Sequence, residues 1–75
     1  MSTPLSHILV FRTTIQTIAD KHCVAARLNA HNEIQEWTID LDDVDCVLRI
    51  VSPTLRPQAI TLLVQQLGFN CTELD

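Results

Sequence analysis

The side chains best suited to chemistry in this sequence are cysteine and histidine, because thiolate sulfur and imidazole nitrogen bind soft ions such as Cu(I) and Zn(II). Cys23 directly follows His22, and Cys71 lies near the end of the chain. No pair has the C-x₂-C or H-x₃-H spacing of common metal sites. Adjacent residues on a helix also point about 100° apart, which makes joint chelation by His22 and Cys23 difficult. We therefore expect no metal and no other cofactor, and a soft-metal site built from Cys23, His22 and Cys71 is the alternative hypothesis.

Two of the three cysteines also have a simpler interpretation. Free cysteine is usually a buried packing residue, and we predict this role for Cys46 and Cys71. Cys23 lies in the N-terminal half of a predicted helix, about 100–140° from its apolar face, so it is the candidate for an exposed and reactive thiol. An odd number of widely spaced cysteines favours reduced thiols over a disulfide scaffold.

Charge and motif content argue against several classes of function. Nine acidic and five basic residues give a net charge of −4 without a basic stripe, so we expect no nucleic-acid partner. No G-x-G-x-x-G, P-loop or G-x-S-x-G motif is present, and we expect no enzyme. The aspartate cluster within residues 40–45 lacks the glycine and the final glutamate of an EF-hand, and we interpret it as a solvated turn.

The sequence shows no signal for export or membrane insertion. The initial residues MSTPLSH contain no basic patch followed by an apolar segment, and residues 1–6 are predicted to be flexible. No apolar run approaches the roughly 20 residues that span a bilayer. Together with reduced thiols, these features predict a soluble cytoplasmic protein with no membrane partner.

Hydrophobic periodicity predicts the elements that must position these side chains. Residues 7–13 include four consecutive apolar residues, as expected for a central strand with apolar side chains on both faces. A helix is predicted from Thr17 to Asn29, with Thr17 capping its first turn. Val24 and Leu28 fall on the apolar face of this helix.

The second half of the chain repeats this alternation of strand and helix. Residues 33–41 alternate between apolar and polar, and residues 46–51 form the next predicted strand of a hairpin. A second helix is predicted to begin near Leu55 and to end at Gly68, the position where a left-handed residue closes a helix. Residues 69–74 form a short final strand. The amphipathic stripe of the second helix is the clearest in the chain and consists of Ile60, Leu63, Val64 and Leu67.

The 75 residues make one small domain with the element order β-α-β-β-α-β. This order predicts an α+β ferredoxin-like sandwich, with a four-stranded antiparallel sheet and two helices on one face. The other face of the sheet is left open, and an apolar patch there favours a protein partner or a homodimer. The predicted patch combines Val47 and Val51 with one side of the first strand, either Leu9 and Phe11 or Ile8 and Val10.

Three segments carry a resemblance to a known family: TIDLDD at 38–43, VLRIV at 47–51 and LVQQLGF at 63–69. With them, the run from residue 9 to residue 74 resembles the heavy-metal-associated domain family, whose copper-chaperone-like members have the ferredoxin fold. The diagnostic motif of that family is Met-x-Cys-x-x-Cys at the first strand-to-helix junction.

In this sequence the methionine position of the motif falls on Arg12, and the two cysteine positions fall on Thr14 and Thr17. Threonine hydroxyls are neutral, hard ligands at pH 7 and do not replace thiolates for Cu(I) or Zn(II). The resemblance therefore implies the family's fold without its metal site. We expect a non-catalytic interaction or self-association module, and the alternative is a soft-metal carrier or sensor with a degenerate cysteine and histidine site.

Overall fold

The computed structural model describes residues 7–74, so the predicted flexible segment 1–6 lies outside the described residues. Four antiparallel strands form one sheet in the order β2-β3-β1-β4, together with two helices. This is the predicted ferredoxin-like βαββαβ architecture. No helix within 7–74 has the length and apolar character needed to cross a bilayer. The elements are β1 (Ile8–Thr13), α1 (Ile18–Ala30), β2 (Glu36–Ile39), β3 (Leu48–Val51), α2 (Pro57–Gln66) and β4 (Cys71–Glu73).

The register of β1 decides which of its faces meets the helices. Leu9 pairs with Ile50 and Phe11 with Leu48, and both pairs belong to or pack against the hydrophobic core. Phe11 is fully buried, whereas Ile8 and Val10 on the alternate face are only half-buried. Of the two options that the sequence left open, Ile8 and Val10 are therefore the pair on the open face.

Both helices contribute the apolar stripes that the sequence predicts. Val24 and Leu28 are the buried residues of α1. In α2 the buried residues are Ile60, Leu63 and Val64. Because the strand side chains Phe11, Leu48 and Ile50 belong to the same cluster, the core lies between the sheet and the two helices.

The ends of the helices are specified locally. The Thr17 hydroxyl accepts a hydrogen bond from the Asp20 N–H at 3.0 Å, and the Asp20 carboxylate accepts one from the Thr17 N–H at 3.3 Å. This reciprocal pair is a capping box and confirms the predicted cap. The second helix begins at Pro57 rather than near Leu55, and Gly68 follows its end with φ +96°.

The strands are shorter than predicted, and the connection before β3 contains the main correction. Cys46 has φ 45°, a left-handed conformation, so strand alternation does not extend to it and β3 begins only at Leu48. The prediction that Val47 is exposed on the open face is wrong, because only 7% of it is exposed. Continuing the β1–β3 register by one residue pairs Val47 with Arg12, a residue with a long side chain.

Candidate functional site

Three connections meet at the end of the molecule where β1 leads into α1. The β1–α1, β2–β3 and α2–β4 connections surround an open depression of about 330 Å³. It contains both polar and charged side chains, so it is the first place to look for a site. Its lining residues are Arg12, Thr13, Thr14, Gln16, Val44, Asp45, Asn70 and Thr72.

Thr14, which the sequence resemblance aligns with the first cysteine of the family motif, joins the β1–α1 loop to the α2–β4 connection. Its hydroxyl oxygen accepts a hydrogen bond from the Asn70 N–H at 2.9 Å. Its own backbone N–H donates to the Asn70 carbonyl at 3.2 Å. The two bonds form a closed pair across the depression, so Thr14 has a structural role.

Thr17, which the same resemblance aligns with the second cysteine, is the residue that caps α1. Its hydroxyl oxygen already accepts the Asp20 N–H, one of the helix N–H groups that has no partner inside the helix. Between the two threonines, Ile15 is completely buried in the core. The loop is therefore held by packing at its centre and by backbone hydrogen bonds at both threonines.

Thr13 is the structural residue of this site that sequence reasoning missed. Its buried hydroxyl donates to the Cys46 carbonyl at 2.7 Å and accepts from the Ile15 N–H at 3.2 Å. The Thr13 N–H donates to the Asp45 carbonyl at 3.0 Å. One side chain thus ties the β1–α1 loop to the β2–β3 connection. Thr13 lies two residues after Phe11, on the same helix-facing side of β1. This position was the only sequence signal for its burial.

Arg12, which the resemblance aligns with the methionine of the motif, carries a charge instead of a soft sulfur. Its Nε lies 3.2 Å from a carboxylate oxygen of Asp45, and the two side chains are 59% and 38% exposed. An ion pair with this much solvent contact contributes roughly 0–1 kcal/mol to stability. The pair orders the rim of the depression more than it stabilises the fold.

The aspartates of residues 40–45 form a folded turn, as the sequence predicts. The Asp42 N–H donates to the Asp40 carboxylate at 3.1 Å, and the Asp45 N–H donates to the Asp43 carboxylate at 2.8 Å. The carboxylates of Asp40 and Asp43 therefore stabilise the turn by accepting hydrogen bonds from its backbone N–H groups.

The three cysteines occupy different environments, and the predicted burial of Cys46 and Cys71 is confirmed. Burial raises the pKa of the Cys46 thiol, and the negative charges of Asp43 and Asp45 raise it further. Burial also raises the pKa of Cys71, against the opposing effect of a hydrogen bond with Thr61. Both are therefore neutral thiols near pH 7, which makes them poor nucleophiles and poor metal ligands.

The three residues of the alternative metal site do not share an environment. Cys23 and His22 are exposed on α1. Cys71 is buried in the core and pairs with Thr13 across β1 and β4. Within residues 7–74, no group of three or more histidine, cysteine, aspartate and glutamate side chains is arranged to hold a metal ion.

Thiol modification of the folded, reduced protein should distinguish the three cysteines. We expect one alkyl adduct to form rapidly at Cys23, because it is exposed, while Cys46 and Cys71 react only after unfolding. Intact mass after a short treatment with iodoacetamide, with and without urea, measures this. The Cys23→Ser variant is the control and should gain no rapid adduct. Rapid modification of Cys71 in the folded protein would contradict the structure.

Comparison with solved structures relates this fold to copper-handling domains. The yeast copper transporter domain CCC2A, solved in apo and Cu(I)-loaded states, superposes with a TM-score of 0.77 at 16% identity, covering 91% of this chain and 94% of that one. The Cu(I)-loaded first domain of the human copper chaperone for SOD1 gives a TM-score of 0.76 at 18% identity, covering 88% and 89%. No protein-family model and no curated protein matches the sequence. At such identities the likeness shows the fold, which is that of heavy-metal-associated domains.

Proposed function

We propose that this chain is a non-catalytic interaction module with the heavy-metal-associated fold and no soft-metal site at its first loop. The observation that carries the proposal is the role of the two threonines at the motif positions. Thr14 accepts the Asn70 N–H and Thr17 accepts the Asp20 N–H, so both hydroxyls hold the backbone together. A neutral oxygen in such a bond is a poor ligand for a soft cation.

Among the residues that the structure describes, those lining the depression do not form a catalytic centre. The only carboxylate among them, Asp45, is ion-paired with Arg12, and the Thr13 hydroxyl is buried in two hydrogen bonds. A nucleophile needs a base within hydrogen-bonding reach, and these described lining residues include no histidine, cysteine or lysine. These features support a binding role over catalysis. Reduced thiols support a cytoplasmic location.

The open face of the sheet is the surface that we assign to binding. Ile8 and Val10 of β1 and Val51 of β3 are half-buried there, and we call these three residues the open-face patch. The helices pack on the opposite face of the sheet, where the core lies. No helix or strand within residues 7–74 covers the open-face patch in the same way. A small domain gains stability by covering such a face.

A soft-metal carrier is the second candidate, because the compared structures include Cu(I)-loaded domains and because Cys23 is an exposed thiol. Anaerobic titration of the reduced protein with Cu(I) and Zn(II), against a competing chelator, separates the two functions. We expect the chelator to keep the metal. Retention of one equivalent, lost in Cys23→Ser or Cys71→Ser, would support the carrier and contradict the interaction module.

A further inference from the structure

On the open face, Glu36 and Arg49 lie beside an apolar hollow. A shallow depression of about 190 Å³ lies on this face, next to the edge strand β2. The residues that line it are Ile8, Glu36, Trp37, Thr38, Arg49 and Val51.

The two charged residues of this hollow have no ion-pair partner within residues 7–74. Both Glu36 and Arg49 are exposed. The β2–β3 register pairs Glu36 with Val51 and Thr38 with Arg49, so the two charges lie diagonally on neighbouring strands. With about 4.8 Å between strands and about 6.6 Å between alternate residues, their Cα atoms are about 8 Å apart. The face therefore presents a separated pair of opposite charges to a partner.

This spacing allows a two-fold symmetric dimer in which Glu36 and Arg49 of each copy pair with the opposite charge on the other copy. Consider a two-fold axis that lies above the open face, parallel to the sheet, and relates each Glu36 to the Arg49 of a second copy. It passes between Glu36 and Arg49 and runs next to Val51 and Ile8, which are paired on β3 and β1. Each charge then meets its opposite on the other copy, and each aliphatic side chain meets its own counterpart. Self-complementarity of this kind is the requirement for a two-fold interface.

We propose that the occupant of the open face is a second copy of this chain, related by this axis, with Glu36 of each copy paired to Arg49 of the other. The inference rests on the proposed function and names the partner for the surface assigned there. The apolar contact of Ile8 and Val51 at the axis supplies the attraction, and the two charge pairs fix the relative orientation of the copies. Since each chain carries a net charge of −4, the local pairs also offset the overall repulsion between copies.

A reciprocal charge exchange tests the pairing, with the dimer dissociation constant measured by sedimentation equilibrium. Arg49→Glu alone and Glu36→Arg alone each place like charges opposite one another, and each should weaken the dimer by about tenfold or more. The double variant Glu36→Arg/Arg49→Glu restores both pairs with the charges exchanged. It should return the dissociation constant to within about threefold of the native value, since only reciprocal contacts couple in this way.

A control variant and a variant at the two-fold axis complete the experiment. Arg56→Glu reverses an exposed charge at the start of α2, away from the sheet, and should leave the dimer unchanged. Val51→Asp places two carboxylates together across the axis and should abolish the dimer, with circular dichroism verifying the fold. A native protein that remains monomeric, or a double variant as weak as the single variants, would overturn the proposed pairing. Metal retention in the chelator titration would instead overturn the proposed function, so the two failures are distinguishable.

Discussion

Leu63→Ala should lower the free energy of unfolding by about 2–5 kcal/mol, because it removes a buried aliphatic side chain and leaves a cavity. Leu63 is 8% exposed and belongs to the core cluster between the sheet and the helices. Stability of a chain this small is of the order of 0.05–0.15 kcal/mol per residue, so the change removes a large part of the total. Urea unfolding under reducing conditions, followed by circular dichroism, measures the difference.

The neighbouring leucine provides a matched control for this prediction. Leu62 lies one position earlier in α2 but is 58% exposed. Leu62→Ala makes the same chemical change at the surface and should alter stability by less than about 0.5 kcal/mol. Equal losses for the two variants, or a larger loss at Leu62, would mean that α2 is rotated relative to the sheet.

Thr13→Val should destabilise the protein by about 2–3 kcal/mol, although valine has nearly the same shape as threonine. The change removes the donor to the Cys46 carbonyl and the acceptor of the Ile15 N–H. The Cys46 carbonyl and the Ile15 N–H then each lose their hydrogen-bond partner. Water does not readily replace it, because Thr13 is only 5% exposed. An unpaired polar group in such a place costs more than the original hydrogen bond contributed.

Thr13→Ser is the control, because it keeps the hydroxyl and removes only a methyl group. We expect it to retain most of the stability that the valine variant loses, as measured by the midpoint of urea unfolding. A valine variant as stable as the native protein would show that the Thr13 hydroxyl does not join the β1–α1 loop to the β2–β3 connection.

The parts of the fold that the sequence predicts are those encoded by nearby residues. Thr17 and Asp20 are three positions apart and specify the start of α1 by themselves. Gly68 ends α2 for a local reason as well, since a left-handed conformation suits glycine. The period of Ile60, Leu63 and Val64 identifies the buried face of that helix.

The parts that the sequence does not predict depend on contacts distant in the chain. Thr14 meets Asn70 across 56 positions, and Thr13 meets Cys46 across 33. No local pattern indicates these pairs. The left-handed conformation of Cys46, whose carbonyl accepts the bond from Thr13, interrupts an alternation that looked regular. The face of β1 that meets the helices also had to come from the observed register.

The most direct test of the account compares Cu(I) binding by the native chain with that of Thr14→Cys/Thr17→Cys. The double substitution supplies two thiolates at the family spacing, at the cost of the Thr17 cap, which is worth about 1 kcal/mol. Thr14→Ser/Thr17→Ser is the control, since it changes both positions and adds no sulfur. We predict that, against a competing chelator, only the cysteine variant retains one equivalent of Cu(I). Equal retention by the native chain would contradict the claim that this module has no soft-metal site.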